Sequence, residues 1–597
     1  MIKLSDYVFD FVARVRVKDV FLLPGGGCMH LVDSLGKNKK LKYVCCLHEQ
    51  AAGIAAEAYS QYSNNLGVVL VTTGPGGTNA VTSVAGAWID SIPLLVISGQ
   101  VKRPDMIKKS GVRQMGNQEV DIISIVRPLT KYAVTILNPK AIRYYLEKAV
   151  YLARTGRPGP VWLDIPLDVQ GAFIDEANLK GFNPPAPRAR RALAPLAVKA
   201  INLLNRSRRP VILAGNGIRL SGALRDFIKL ARILGIPVLA TWKAIDFFPQ
   251  KDKLFFGCPG SVAQRSANFI QQNSDLIMAI GARLDLAQTG YDHKNFAPLA
   301  KKVIVDIDPA EIRKLKMRID VRVPFDAGLF IRELIRRKNK ILRVKRSPWS
   351  ARCLEWKKKY PVVIPEYFKN RKYVNTYVLV EILAELMTAS DVLVPGSSGS
   401  CSEITLQSFK VKKGQRVFNT PGLGSMGFGL PAAMGACLAA GKKRTIGIIG
   451  DGGLQHNIQE LETIRRLGLP VKLFILNNNG YASIRNTQKG HFKGRLVACD
   501  PSCGLTLPDV AKIAGAYGLK YVRLNDHRGI RGRVAEVLKT HGPVICEVMA
   551  DPFLATAPRL SSRVLKSGAI VSKPMEDLWP FLEKEELAAN MSPRREK

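Results

Sequence analysis

Two stretches far apart in the chain share one grammar, and it limits the possible folds more than any other feature. Gly67-Val-Val-Leu-Val-Thr-Thr73 is a run of buried-strand residues, Gly74-Pro-Gly-Gly77 a turn, 78–90 a helical pattern and Pro93-Leu-Leu-Val-Ile97 a second strand. Near the other end, Thr445-Ile-Gly-Ile-Ile449 runs into Gly450-Asp-Gly-Gly453. A helix with Ile458, Leu461, Ile464 and Leu467 on one face follows, and then Val471-Lys-Leu-Phe-Ile-Leu476. Short apolar runs bounded by glycine turns and separated by a helical period read as strand-helix-strand units, whose strands are parallel and covered on both faces. Between them, Pro210-Val-Ile-Leu-Ala214 before Gly215-Asn-Gly217, with further runs at 276–280 and 303–307, supplies a third sheet. The expected fold is α/β, with three consecutive parallel-sheet domains.

Proline and charge replace this grammar at 182–191 and near 336–356, which read as boundaries. The expected units are 1–180, 192–340 and 370–575, with a charged C-terminal tail at 576–597 that is loose after about Lys584. Lysine and arginine number 89 against 48 acidic residues, a net charge of +41, which by itself suggests attraction to nucleic acid or an anionic membrane. The basic residues are dispersed, however, from Lys102-Arg103 through 188–191 and 336–340 to Arg594-Arg595, with no aromatic-interleaved stripe. No specific nucleic-acid interface is expected from that pattern. No run is long and apolar enough to span a bilayer, and the N-terminal residues lack a secretory apolar core, so the expected address is cytoplasmic. The ten cysteines show no metal-ligand spacing, and reduced thiols are the simplest reading.

Asp451 stands among glycines at the end of a buried strand, where ligands of parallel sheets collect. Gly450 and Gly452 allow close backbone approach, and the following helix start offers free N–H groups to a phosphate. A carboxylate beside phosphates needs a cation between them, and magnesium prefers oxygen donors. Asn477-Asn-Asn-Gly480, after the neighbouring strand, supplies a second donor. Taken alone, the glycines are equally a tight turn and Asp451 a helix N-cap. Glu49 lies in Val44-Cys-Cys-Leu-His-Glu-Gln50, before an alanine-rich helix at 51–59, and a glutamate in a first helical turn commonly does no more than complement the dipole.

Gly450-Asp-Gly452 followed after a helix and strand by Asn477-Asn478 resembles the thiamine diphosphate binding motif. Over nearly the whole chain, further segments stand in the order of the acetolactate synthase branch of thiamine diphosphate enzymes: Leu23-Pro-Gly-Gly26, His48-Glu-Gln50, Thr73-Gly-Pro-Gly76, Asp90-Ser-Ile-Pro93, Gln118-Glu119, Gly156-Arg-Pro-Gly-Pro160 and 422–431. The resemblance implies a pyrimidine-binding, a central Rossmann-like and a diphosphate-binding domain. It implies that Asp451, Asn478 and the Gly480 carbonyl hold Mg2+, and that Gly399, Ser400, Cys401, Gly452 and Gly453 line the diphosphate. It assigns further cofactor contacts to Gly26, Pro75, Asn79, Gly424 and Tyr481, and makes Met426 a wedge between the two cofactor rings. Glu49 would hydrogen-bond the aminopyrimidine, and His48 reads as a satisfied structural histidine. Because the outer domains of this family meet across subunits, Glu49 of one chain would serve Asp451 of another in a homodimer or homotetramer, and a regulatory subunit is left open.

The implied reaction is decarboxylation of a 2-oxo acid with carboligation. On the substrate side, Gly27, Gln118 and Thr487 are the candidates. The chain departs from acetolactate synthases at Asn117, where they carry phenylalanine, in Pro166-Leu-Asp-Val169, where they carry lysine, and at Thr487, where they carry tryptophan. These departures keep two alternatives open: a decarboxylase or carbon-carbon lyase on the same scaffold, and a non-catalytic basic binding protein. Arg485 and His491 could meet an anionic substrate, although a solvated basic loop explains each taken singly. Gly281-Ala-Arg-Leu-Asp285 and Asp306-Ile-Asp-Pro309 resemble segments that hold FAD, while 286–290 depart from that pattern, so flavin is left open.

Overall fold

A computed structural model describes residues 1–108, 110–186, 191–397, 399–564, 567–568 and 570–591. Part of the first boundary, 187–190, and the basic end Arg594-Arg595 lie outside the described residues. All three expected sheets form, and each is wholly parallel. The first contains β1 (Asp19–Leu22), β2 (Lys42–Cys45), β3 (Gly67–Val71), β4 (Leu94–Gln100), β5 (Tyr132–Thr135) and β6 (Val161–Pro166), in the spatial order β2-β1-β3-β4-β6-β5. The central sheet contains β7 (Pro210–Ala214), β8 (Val238–Ala240), β9 (Leu276–Ile280), β10 (Lys301–Val305) and β11 (Val321–Val323), ordered β8-β7-β9-β10-β11. The third contains β12 (Val392–Pro395), β13 (Arg416–Val417), β14 (Thr445–Gly450), β15 (Val471–Asn477), β16 (Lys520–Leu524) and β17 (Val544–Met549), ordered β13-β12-β14-β15-β17-β16.

The first and third sheets therefore repeat one topology. In each, the strand order reverses between the first and third strands of the domain, and that reversal opens a crevice at the carboxyl ends. The turns carrying Gly74 and Asp451 stand at those two crevices. Every residue of β3, β4 and β6 is buried, as continuous apolar runs covered by helices on both faces require.

The two outer domains dock through small residues. The helix Glu49–Ser63 buries alanines on several sides, and the helix Gly429–Ala439 packs against it. A Cβ on Gly435 would come 2.1 Å from the carbonyl oxygen of Ala55, so only glycine permits this backbone contact. Just ahead of Glu49, Leu47 N donates to the Glu460 carboxylate at 2.8 Å, and Arg466 donates to the Cys45 carbonyl. The central domain is tied to both neighbours by Lys243, whose ammonium donates to Gln61, Asp90 and the Asn419 carbonyl.

One expectation is corrected. From Lys584 to Met591 the chain is not loose: it forms the helix Lys584–Asn590 and docks on the central domain, while the rest of the expected tail, 592–597, lies outside the described residues. Trp356 Nε1 donates to Asn590 at 2.8 Å and Tyr360 donates to Glu586 at 2.7 Å. Leu582, Leu587 and Met591 pack against the central core, and these scattered apolar residues are outweighed in composition by the charges around them. No helix among the described residues is long and apolar enough to cross a membrane.

Candidate functional site

At the third sheet's crevice, β14 ends at Gly450 and Asp451 opens the short helix Asp451–Leu454, so Asp451 is its first residue and Gly450 the cap. The parallel register pairs Gly450 with Leu476, which brings the chain after β15 alongside Asp451. Its carboxylate is 3% exposed and accepts from Gly452 N at 2.8 Å, Asn478 N at 3.2 Å and Gly480 N at 3.1 Å. Burial pushes this carboxyl up to about 6, against the pull of those N–H groups. Beside it, Asn478 Oδ1 is buried without a hydrogen-bond partner. A buried acceptor with no donor is rare in native structures, and an oxygen-seeking cation next to Asp451 is the partner that fits both groups.

Glycine shapes the ground around them. Gly480 has φ +131°, and a Cβ there would come 2.3 Å from the Cys499 carbonyl. A Cβ on Gly452 would come 2.4 Å from the Tyr481 ring and 3.7 Å from Met426 Cε, so Gly452, Tyr481 and Met426 share one surface. The turn Gly399–Cys401 borders it: Cys401 Sγ lies 3.5 Å from where a Gly450 Cβ would be, and burial together with the Asp451 charge pushes that thiol up to about 12. Gly453 has open space on its Cβ side apart from Ile449, and Gly424, with φ +62°, stands 3.6 Å from the Ser397 carbonyl by the same measure.

At the first sheet's crevice, Glu49 opens its helix, 5% exposed, and His48 caps it by accepting from Gln50 N at 3.1 Å. That is the structural part expected of His48. Glu49 Oε2 accepts from Asn79 Nδ2 at 3.0 Å, and Gly76 lies against Oε1. Pro75 and Asn79 are exposed on the first turns of the helix Pro75–Asp90. Gln118, exposed, places its carbonyl against Gly74; Gly26 is open, and the Gly27 carbonyl accepts from Gln170.

The structure thus gathers the sequence-derived residues into two groups. Gly26, Gly27, Glu49, Pro75, Asn79 and Gln118 belong to the first crevice. The remainder belong to the third, with Thr487 exposed on the helix Ala482–His491 and bonded back to the Ser483 carbonyl. Among the described residues, no hydrogen bond joins the two groups.

Arg485 corrects a reading. Its guanidinium is not solvated: the side chain is 2% exposed, pairs with Asp500 at 3.0 Å and donates to the carbonyls of Asn478, Asn479 and Pro552. It braces the Asn477–Gly480 loop instead of facing a substrate; His491 remains exposed. Glu460 was also missed, since its only sequence signal is an acid in a helical first turn.

A separate cavity of about 510 Å³ lies over the carboxyl ends of the central sheet, lined among others by Gly217, Lys243, Gly281, Arg283, Asp306 and Asp326. Burial pushes Asp306 up to about 6. The segments 281–285 and 306–307, which resemble flavin-holding ones, both reach this cavity.

Comparison with known proteins agrees with this architecture. Residues 2–125 match the N-terminal TPP binding domain of thiamine pyrophosphate enzymes, 197–334 their central domain and 397–548 their C-terminal TPP binding domain. The acetolactate synthase large subunit of Cyanidium caldarium is 32% identical over 90% of this chain and 92% of its own. That of Lactococcus lactis is 31% identical over 91% and 92%, and a probable acetolactate synthase large subunit of Methanocaldococcus jannaschii is 33% identical over 90% of each. With three domain matches in order and relatives aligned along nine-tenths of its length, the chain belongs to the thiamine pyrophosphate enzyme family, on its acetolactate synthase-like side.

Proposed function

We propose that this chain is a thiamine diphosphate- and magnesium-dependent enzyme that decarboxylates a 2-oxo acid and joins the remaining acyl unit to a second carbonyl compound. The observation that carries the reading is the buried, unpartnered Asn478 Oδ1 beside the Asp451 carboxylate. Asp451, Asn478 and the Gly480 carbonyl would hold magnesium; Gly399, Ser400, Cys401, Gly452 and Gly453 would receive the diphosphate, and Gly424 would be a further cofactor contact. Met426 and Tyr481 flank the cofactor. Glu49, held by Asn79, would hydrogen-bond the aminopyrimidine, and Gly26 and Pro75 would supply further cofactor contacts. Bound thiamine diphosphate supplies the nucleophile and electron sink that decarboxylation needs.

As the family resemblance implies, a second copy would complete each site, with Glu49 of one protomer serving Asp451 of its partner. Gly27, Gln118 and Thr487 face the substrate, and the central cavity is where FAD would sit if the chain binds it, which a yellow spectrum of the purified protein would reveal. The test of the reaction is product analysis with pyruvate, alone and with other oxo acids, in the presence of thiamine diphosphate and magnesium. Acetolactate or its homologues support carboligation. Released aldehyde alone would move the chain to the decarboxylase or lyase reading, which the replacements at Asn117, Leu167 and Thr487 favour. No turnover of any oxo acid would remove the reading.

A further inference from the structure

The expectation that the cysteines carry no metal-ligand spacing is corrected at one pair: Cys499 and Cys503 have three residues between them, within the separation that zinc-binding cysteine pairs take, and with Asp500 they converge so that one ligand atom from each lies within 4.8 Å of the others. We propose that these three side chains bind one thiophilic divalent cation, zinc by preference, and that the ion clips the segment 497–503 against the loop that carries Asn478 and Gly480.

The geometry suits an ion better than a disulfide. The two sulfurs are 3.7 Å apart. A disulfide needs about 2.05 Å, whereas a tetrahedral zinc with bonds of about 2.3 Å to each sulfur holds them about 3.8 Å apart. Asp500 Oδ1 stands 3.6 Å from Cys503 Sγ. For a zinc-oxygen bond of about 2.0 Å the same angle asks for about 3.5 Å. Gln488 Oε1, 3.4 Å from Cys499 Sγ, or a water fills the fourth position.

The surroundings hold the three donor groups in place. Cys503 Sγ accepts from Cys499 N at 3.2 Å and from Asp500 N at 3.4 Å, which fixes the sulfur over the turn that carries Asp500. Arg485 pairs with Asp500 Oδ2, while Oδ1 faces Cys503 Sγ and accepts from Ser502 N at 3.0 Å and from the Ser502 hydroxyl, a bond that an ion at Oδ1 would replace. Cys499 is buried and Cys503 partly open, which gives the ion a path inward. Magnesium, a hard ion, has no preference for such a set and stays with oxygen donors.

The site touches the loop beside Asp451 directly. The Cys499 carbonyl accepts from Tyr481 N at 2.8 Å and abuts Gly480, while Arg485 links Asp500 to the carbonyls of Asn478 and Asn479. A loaded ion would fix this platform.

Cobalt titration of the full chain, stripped with a chelator and kept reduced, tests the assignment. The expected result is one equivalent of Co2+ giving a cobalt-thiolate absorption band, displaced by Zn2+ and unaffected by excess Mg2+. The band should vanish in Cys499→Ser and in Cys503→Ser, persist in Cys46→Ser, and vanish in folded parent protein whose Cys503 has been alkylated. A band that survives in the alkylated protein and both variants would overturn the proposal. So would its absence from the reduced parent, including the case where mass spectrometry of air-exposed protein finds a Cys499–Cys503 disulfide and marks the pair as redox-active instead.

Discussion

The buried guanidinium of Arg485 donates to the main-chain carbonyl of Asn478 at 3.3 Å while its Nε pairs with Asp500 at 3.0 Å. The loop that offers the unpartnered Asn478 oxygen is thus held from behind by a cation spent entirely on positioning. Arg485→Met would leave Asp500 Oδ2 and the carbonyls of Asn478, Asn479 and Pro552 without their guanidinium donor. Breaking a buried ion pair on one side costs about 3–5 kcal/mol, and loss of a supporting partner typically weakens metal binding by roughly 10–100-fold. Thermal melts and a magnesium titration of activity measure both effects; an unchanged magnesium requirement would remove the bracing role.

Glu49 and Asn79 form the other half of the proposed site, joined at 3.0 Å. Glu49→Gln keeps the shape and removes the exchangeable charge, and losing such a proton-handling group typically costs about 10²–10⁴-fold in turnover. Thiamine diphosphate binding, followed by fluorescence quenching, should persist. Parent-like turnover with pyruvate would take Glu49 out of the chemistry.

The fold was legible in the sequence because continuous apolar runs and glycine turns report parallel sheets directly, as β3, β4 and β14 show. Asp451 and Asn478 were legible for a related reason: each follows the end of a strand, and parallel register carries them to one crevice. Arg485 was not, since burial of a cation depends on carbonyls and an acid gathered from three separate segments. The Cys499–Cys503 pair does stand at a metal-ligand spacing, but a lone C-x3-C has no second pair beside it in the sequence, and only the turn at Pro501–Cys503 shows Asp500 joining it. The docked C-terminal helix was missed because its apolar residues are too few to register in composition yet match a waiting surface.

Magnesium must compete with a proton at Asp451, whose carboxyl burial pushes up to about 6. The magnesium concentration needed for half-maximal activity should therefore rise as pH falls below about 6 and level off above it. For the metal-free protein the sign reverses in consequence. A carboxyl raised above its ordinary 3.8 favours the folded state while protonated, and that contribution disappears as pH rises through about 6. Asp451→Asn should thus be more stable than the metal-free parent at pH near 8, by urea midpoint, and should lose the magnesium effect. A parent midpoint unaffected by this substitution would contradict the burial argument.

Glu57, at 1% exposure on the helix between the two outer domains, is pushed up to about 8 by burial, with the nearby Asp90 charge adding to the rise and Lys243 opposing it. Neutral at pH 7, it stabilises the fold below its ordinary range and loses that contribution as pH rises through about 8. Melting temperature should fall between pH 7 and 9 in the parent and fall less in Glu57→Gln, which keeps the contact to Gln61 without ionising. Parallel melting curves would place the titration elsewhere.

Gly435 governs whether the outer domains can meet at all. A methyl group there would stand 2.1 Å from the Ala55 carbonyl oxygen, an atom of a buried helix backbone that has no rotamer by which to withdraw. Overpacking of this kind costs about 1–3 kcal/mol where side chains can shift, and a backbone obstacle places Gly435→Ala at the upper end of that range or beyond. The displacement would also travel along the helix Glu49–Ser63 to its first residue, Glu49, so activity should fall more than the remaining folded fraction explains. Turnover per folded molecule, with the folded fraction taken from circular dichroism, checks this. If it matched the parent, the contact would matter for stability alone and the helix would not transmit the shift to Glu49.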